Sequence, residues 1–290
     1  RSEADRFARE FLTRYLQARA RGLNDPSPQP LNIAIIGAGA TGVELAAELH
    51  HAANEFHRYG LNQIRPDDVK ITLIEAADRV LSALPEAVSA RAEQQLKDFG
   101  VQVLTGLKVT AIHADYVACA GDVQIPATLK VWSAGIKAPD FLKDIAGLET
   151  NRINQLIVGA TLQTSRDPNI FAFGDCASYT PTGQERAVPP RAQVANQQAV
   201  MLAKSMKARV KGQPLPNFEF SDKGSLISLS QQNTVGSLMG NIYVQGFMAR
   251  MMYVSLYRMH QMVLHGITKT SLLMMKDWLS RGSSPTLKLH

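Results

Sequence analysis

Residues 31–42, LNIAIIGAGATG, constrain the fold more than any other stretch of the chain. They open with the apolar run Ile33, Ala34, Ile35 and Ile36. That composition suits a strand buried on both faces of a parallel sheet. Gly37, Gly39 and Gly42 follow as G-x-G-x-x-G, and Val43, Ala46, Ala47 and Leu49 then recur at helical spacing. Strand, glycine turn and helix form the context in which such glycines read as a dinucleotide fingerprint. Gly37 permits the tight turn, Gly39 lets a pyrophosphate approach the backbone, and Gly42 lets the helix pack close to the strand. The helix start adds unpaired N–H groups and a positive dipole end. An ordinary strand–helix turn is the alternative.

The next strand adds to the first reading. Residues 69–74, VKITLI, end at Glu75. A carboxylate at that tip can accept hydrogen bonds from ribose hydroxyls, and it repels a 2′-phosphate, which favours NAD(H) over NADP(H). Glu75 lies 33 positions after Gly42, against roughly 20 expected. The polar, turn-rich residues 57–68 are read as a helix extension and loop. A solvated strand end is the other reading of Glu75.

Length suggests about two domains. Cys119 and Cys176 are far apart and form no C-x-x-C, which excludes a disulfide framework and fits a reducing compartment. No run of 18 or more apolar residues spans a bilayer, and no signal peptide is expected. The formal charge is +6, and from Arg250 onward six Lys/Arg stand against one acid, Asp277. These basic residues are interleaved with Met, Leu and aromatics, which points to a membrane surface and away from nucleic acid.

Residues 1–22 carry an apolar stripe of Ala4, Phe7, Ala8, Phe11, Leu12, Tyr15 and Leu16, and residues 24–30 read as a linker. A second crossover helix should end at Gly100, with a strand over 101–104 and a small antiparallel meander over 107–126. A further strand over 129–132 precedes Ser133, Ala134 and Gly135, small residues that leave room for a flat ring. A plain turn is the alternative there. Residues 156–162 look hairpin-like. Ile170, Phe171, Ala172 and Phe173 read as a buried strand with Gly174 and Asp175 at its end. The helix beginning AQVANQQ opens with the amides Gln193, Asn196, Gln197 and Gln198, which either face a pocket or form a solvated first turn. Residues 226–229 and 234–238 are strand-like. Seven of ten methionines fall between Met248 and Met275. With Arg250, Arg258, Lys276, Trp278 and Arg281 they suit amphipathic helices in the headgroup plane. An amphipathic pair packed on the protein or in a dimer is the alternative.

IGAGATGVELAAELH, VWSAGIKAPDFL, IFAFGDCAS, PPRAQVANQQA and SLYRMHQMVLHG together resemble bacterial type II NADH dehydrogenases, the NADH:quinone oxidoreductases. The resemblance implies an α/β fold: a Rossmann-like NADH domain with a three-layer parallel sheet and meander, the C-terminal part of an FAD domain, and a C-terminal amphipathic helical membrane-binding region. It implies a helix and linker over 1–30 belonging to the front half of the FAD domain, the NADH domain over 31–145, the remaining FAD part over 146–215, and the membrane-associated region over 216–290. That front half, with its own glycine fingerprint, is not found in this sequence.

The resemblance further implies that Gly37, Ala38, Gly39, Ala40, Thr41 and Gly42 hold the NADH pyrophosphate and that Glu75 binds its ribose. Glu44 would lie near nicotinamide and flavin, Ala134 and Gly135 would line the nicotinamide path, and Gly174 and Asp175 would bind the ribityl or phosphate region of FAD. Ala192, Gln193, Asn196 and Gln197 would face the flavin ring and the quinone. Some relatives carry histidine where this chain has Asn196, and an amide there can still bond a quinone oxygen. Hydride would pass from NADH to FAD and electrons to a membrane quinone, with no metal and no proton pumping. The enzyme would sit peripherally on the cytoplasmic face of the bacterial inner membrane, with a homodimer left open. A nucleotide-binding chain without flavin and another flavin disulfide-reductase relative are the alternatives.

Overall fold

The computed structural model describes residues 2–22, 30–58, 68–229, 234–238 and 242–280. The expected linker over 24–30 except Pro30, the residues 59–67 of the expected helix extension and loop, and Arg281 lie outside the described residues. The chain divides into two units, residues 1–134 with 224–290, and residues 135–223.

The first unit is built on β1 (Leu31–Ile36), β2 (Val69–Ile74), β3 (Gln102–Leu104) and β7 (Leu129–Trp132), in the order β3-β2-β1-β7. Every neighbouring pair in this sheet is parallel, with Ile33 opposite both Ile71 and Leu129. Helix α2 (Ala40–Arg58) connects β1 to β2, and α3 (Glu86–Asp98) connects β2 to β3. Side chains alternate across a strand, and β1 uses both faces. Leu31, Ile33 and Ile35 join a core with Val43, Ala46, Ala47 and Leu49 of α2. Ala34 and Ile36 turn the other way, toward Val117, Cys119 and Ile125. That second face is covered by the antiparallel meander β4 (Val109–Ile112), β5 (Tyr116–Cys119) and β6 (Val123–Pro126). Helices, sheet and meander make the three expected layers. Burying a side chain such as Ile35 or Leu73 stabilises by about 1.5–3 kcal/mol, and both are fully buried.

Helix α1 (Ser2–Gly22) sinks Phe11 and Tyr15 into the core shared by β1 and α2 and leaves Leu16 exposed. Residues 224–280 return to this unit as the antiparallel strands β10 (Gly224–Ser228), β11 (Thr234–Leu238) and β12 (Ile242–Gln245). Ile227 and Val235 reach the same core. Strand β12 directly precedes the methionine-rich helix. The helix itself, α5 (Gly246–Leu279), breaks at Gly266 (φ 76°, ψ 167°). Arg258 and Asp277 meet at 2.6 Å. Nineteen residues of straight helix would separate them by about 28 Å, so the two segments fold back on each other.

The second unit packs β8 (Leu156–Val158) and β9 (Ala177–Tyr179) as a parallel pair around α4 (Ala192–Val210), with Leu162, Val194, Leu202 and Phe218 in its core. The hairpin turn expected over 156–162 exists as a bridge between Val158 and Thr164, but the ladder of β8 is the parallel one with β9. Residues 170–173 do not form the expected buried strand. Their ladder contact is a single bridge from Phe171 to Gln163, and Phe173 is exposed. An apolar run becomes a strand only where a neighbour supplies hydrogen bonds along its length.

Candidate functional site

The glycine turn lies between β1 and the start of α2, beyond the carboxyl end of a parallel strand, where open α/β sheets bind ligands. Gly37 has φ 101°, a left-handed conformation that a side chain would strain. A Cβ there would also lie 2.6 Å from the Cα and N of Ala134. A Cβ on Gly42 would lie 1.9 Å from the Gly37 carbonyl oxygen. At Gly39 a Cβ would meet nothing within 4 Å. Two glycines are therefore demanded by packing, and the third leaves an open backbone face.

Glu75 stands at the tip of β2 and holds the turn. Its carboxylate accepts the Ala38 N–H at 2.6 Å through Oε2 and the Ala77 N–H at 2.9 Å through Oε1. The Gly37 N–H donates to Ile74 O at 2.8 Å, and the Leu81 N–H donates to Ala38 O at 2.8 Å. A carboxylate offers about four acceptor sites, so Glu75 keeps capacity for a hydroxyl. Gly37, Ala38, Gly42, Glu75 and Ala134 thus come together at this end of the sheet.

Glu44 lies one turn into α2. Its Oε1 accepts the Ser228 N–H of β10 at 3.0 Å. Burial pushes its carboxyl above the usual range, the Ser228 hydrogen bond opposes this, and the nearby Glu48 charge adds to it. Ser228 carries no local signal that predicts this bond across 184 positions.

Gly174, Asp175, Ala192, Gln193, Asn196 and Gln197 belong to the second unit, and Gly135 is its first residue. Gly174 has φ 71°, and its N–H donates at 2.7 Å to Oε1 of Gln198, which is buried. Asp175 is exposed. Gln193 accepts the Lys223 N–H at 2.9 Å and donates to Asp222 at 3.2 Å. Gln197 accepts the Ser221 N–H and donates to Ser221 O. These two amides clamp residues 221–223 onto α4. Asn196 is exposed and lines a shallow cavity of about 430 Å³ with Val200, Lys204 and Phe218. Among the described residues no group of three or more His, Cys, Asp or Glu could hold a metal ion.

A parallel sheet flanked by helices, a three-glycine turn at its carboxyl edge and an acid at the tip of the next strand define an α/β protein of the dinucleotide-binding class. The chain belongs to the pyridine nucleotide-disulphide oxidoreductase family, whose pattern matches residues 9–199. It is 45% identical over 265 residues to the type II NADH:quinone oxidoreductase of Haemophilus influenzae, covering 90% of this chain and 60% of that protein. It is 31% identical over 243 residues to the enzyme of the same name from Staphylococcus aureus, covering 82% and 58%. The chain therefore spans about three fifths of the length of these curated relatives. In fold it is similar to NDH2 from Plasmodium falciparum, solved in complex with NADH (TM-score 0.77, 16% identity, 94% of this chain and 71% of that one). It is also similar to the sulfide:quinone oxidoreductase of Aquifex aeolicus (TM-score 0.61, 16% identity, 79% and 57%).

Proposed function

We propose that the chain carries the NADH site and part of the flavin site of an NADH:quinone oxidoreductase. The observation that carries this reading is the open backbone at Gly39, between Gly37 and Gly42, which packing holds in place, and beside Glu75, which fixes Ala38. Residues 37–42 hold the NADH pyrophosphate at the start of α2, and Glu75 binds the ribose and repels a 2′-phosphate. Ala134 lines the nicotinamide path with Gly135.

For FAD, the left-handed turn at Gly174 and the exposed Asp175 fit a ribityl or phosphate segment that needs close backbone approach and a hydroxyl acceptor. When bound, FAD supplies hydride acceptance from NADH and electron return to a quinone. Ala192, Gln193, Asn196 and Gln197 at the start of α4 face that ring and the quinone, with amides as neutral donors and acceptors. Glu44, whose carboxyl burial pushes above the usual range, lies near the reacting end of the nucleotide.

The membrane partner rests on α5, where Phe247, Met248, Met251, Leu264, Ile267 and Trp278 are exposed. Among the described residues no helix is long and apolar enough to cross a membrane, so α5 would lie in the headgroup plane. We place that attachment on the cytoplasmic face, where NADH is supplied. The test is the visible spectrum of the chain loaded with FAD, recorded before and after anaerobic NADH and again after a soluble quinone. Flavin bands that bleach with NADH and return with quinone are expected. Bands that NADH leaves unchanged overturn the reading.

A further inference from the structure

Ser133, the residue after β7, reaches back to the glycine turn. Its N–H donates to Ile36 O at 2.8 Å. Its hydroxyl lies 2.9 Å from both Ile36 O and Gly37 O and donates across this pair. The same Oγ would lie 2.8 Å from a Cβ on Gly42. One hydroxyl is thus lodged where the end of β1, Gly37 and the start of α2 meet. Ala134 is the residue against which Gly37 abuts. The Ala134 carbonyl in turn accepts the Trp132 Nε1–H at 2.8 Å. Residues 132–134 form a closed latch behind the turn.

The position of that hydroxyl matters because of what surrounds it. Ile36 is the last ladder residue of β1, paired with Ile74 and Trp132, and the Gly37 carbonyl lies past that ladder and before α2 begins at Ala40. Backbone acceptors at such a junction need a partner from elsewhere. Glycine backbone is otherwise free to move, and a cradle ordered before its ligand arrives loses less entropy on binding. Glu75 fixes the turn from the β2 side through Ala38, and Ser133 fixes it from the β7 side. We infer that Ser133 is a positioning residue for the pyrophosphate cradle, acting through the carbonyls of Ile36 and Gly37. The inference rests on the nucleotide reading for its consequence in binding, but not for its consequence in the order of the turn.

The test compares the full chain with its Ser133→Ala and Ser133→Thr variants. Hydrogen exchange is followed in peptides covering residues 36–44 and 69–74, and NADH is titrated into each protein. Loss of one partly buried hydrogen bond should speed exchange in 36–44 by about tenfold and weaken NADH binding about five- to tenfold in Ser133→Ala. Peptide 69–74 should be unchanged. Ser133→Thr restores the hydroxyl and should return both readouts toward wild type. Equal exchange in wild type and Ser133→Ala overturns the inference, as does acceleration spread evenly over both peptides, which marks general destabilisation. If wild type fails to bind NADH while 36–44 still responds, the latch stands and the nucleotide reading falls.

Discussion

The Gly37 carbonyl oxygen and Gly42 are so close that a Cβ on residue 42 would lie 1.9 Å from that oxygen. The oxygen has little room to retreat, because the Ser133 hydroxyl bonds it and the Gly37 N–H is tied to Ile74 O. Gly42→Ala should therefore destabilise the protein by about 2–3 kcal/mol. Gly39→Ala meets open space and should change stability by less than about 1 kcal/mol, yet weaken NADH binding about tenfold by filling the face the pyrophosphate needs. Thermal melts and NADH titration of both variants check the pair. Equal losses of stability at the two positions would sink the distinction.

Glu75 orders Ala38 and Ala77, and in the proposed function it also selects the nucleotide. Glu75→Ala should weaken NADH binding about tenfold and narrow the preference over NADPH, because the charge that repels a 2′-phosphate is gone. Unchanged affinity for both nucleotides would remove Glu75 from the site.

Glu44 gives a pH signature. Its carboxyl is raised above 4.5 by burial first, with the Ser228 N–H opposing and Glu48 adding. A raised folded-state value means that the ionised form is disfavoured on folding. The contribution of Glu44 to stability is then complete below the unfolded value of 4.5 and lost as pH rises through the folded value. Glu44→Gln keeps an acceptor for Ser228 and removes the charge. It should melt with wild type near pH 4 and about 1–3 °C above it by pH 8. A difference that does not vary with pH contradicts this.

The fold-back of α5 depends on Gly266, whose φ and ψ fall in a region that essentially only glycine occupies. Gly266→Ala should cost about 1–3 kcal/mol locally and pull Arg258 away from Asp277. Spin labels at positions 256 and 279 should report a longer distance in the variant, and an unchanged distance would show that the turn is held by other contacts.

The two cysteines should separate cleanly. Cys119 is buried on β5, and burial pushes its thiol up, whereas Cys176 is only half-buried. Since the thiolate reacts, a disulfide reagent should label Cys176 within minutes and Cys119 only after denaturation. Comparable native rates would mean that the meander opens readily.

Much of the first unit was legible because its signals are local. Residues 33–36 are apolar on both faces, Val43, Ala46 and Ala47 recur with helical period, and the meander alternates between turn residues. The misses share a different physics. Residues 170–173 have strand composition but only one ladder contact, and composition does not reveal whether a neighbour exists. Strand β12 adjoins a methionine-rich helix, and its four residues are too few to show a period of their own. Gln193 and Gln197 read as either facing a pocket or forming a solvated first turn, and neither alternative reports their hydrogen bonds to residues 221–223. The Ser133 hydroxyl and the Ser228 N–H reach partners 96 and 184 positions away, and no spacing rule reports such bonds.

Isothermal titration of the 290-residue chain with NADH and then NADPH tests the central claim most directly, that residues 37–42 and Glu75 form a cradle selective for NADH. The expected result is saturable NADH binding at one site, with NADPH at least about tenfold weaker. No heat with either nucleotide, or equal affinity for both, would contradict the account.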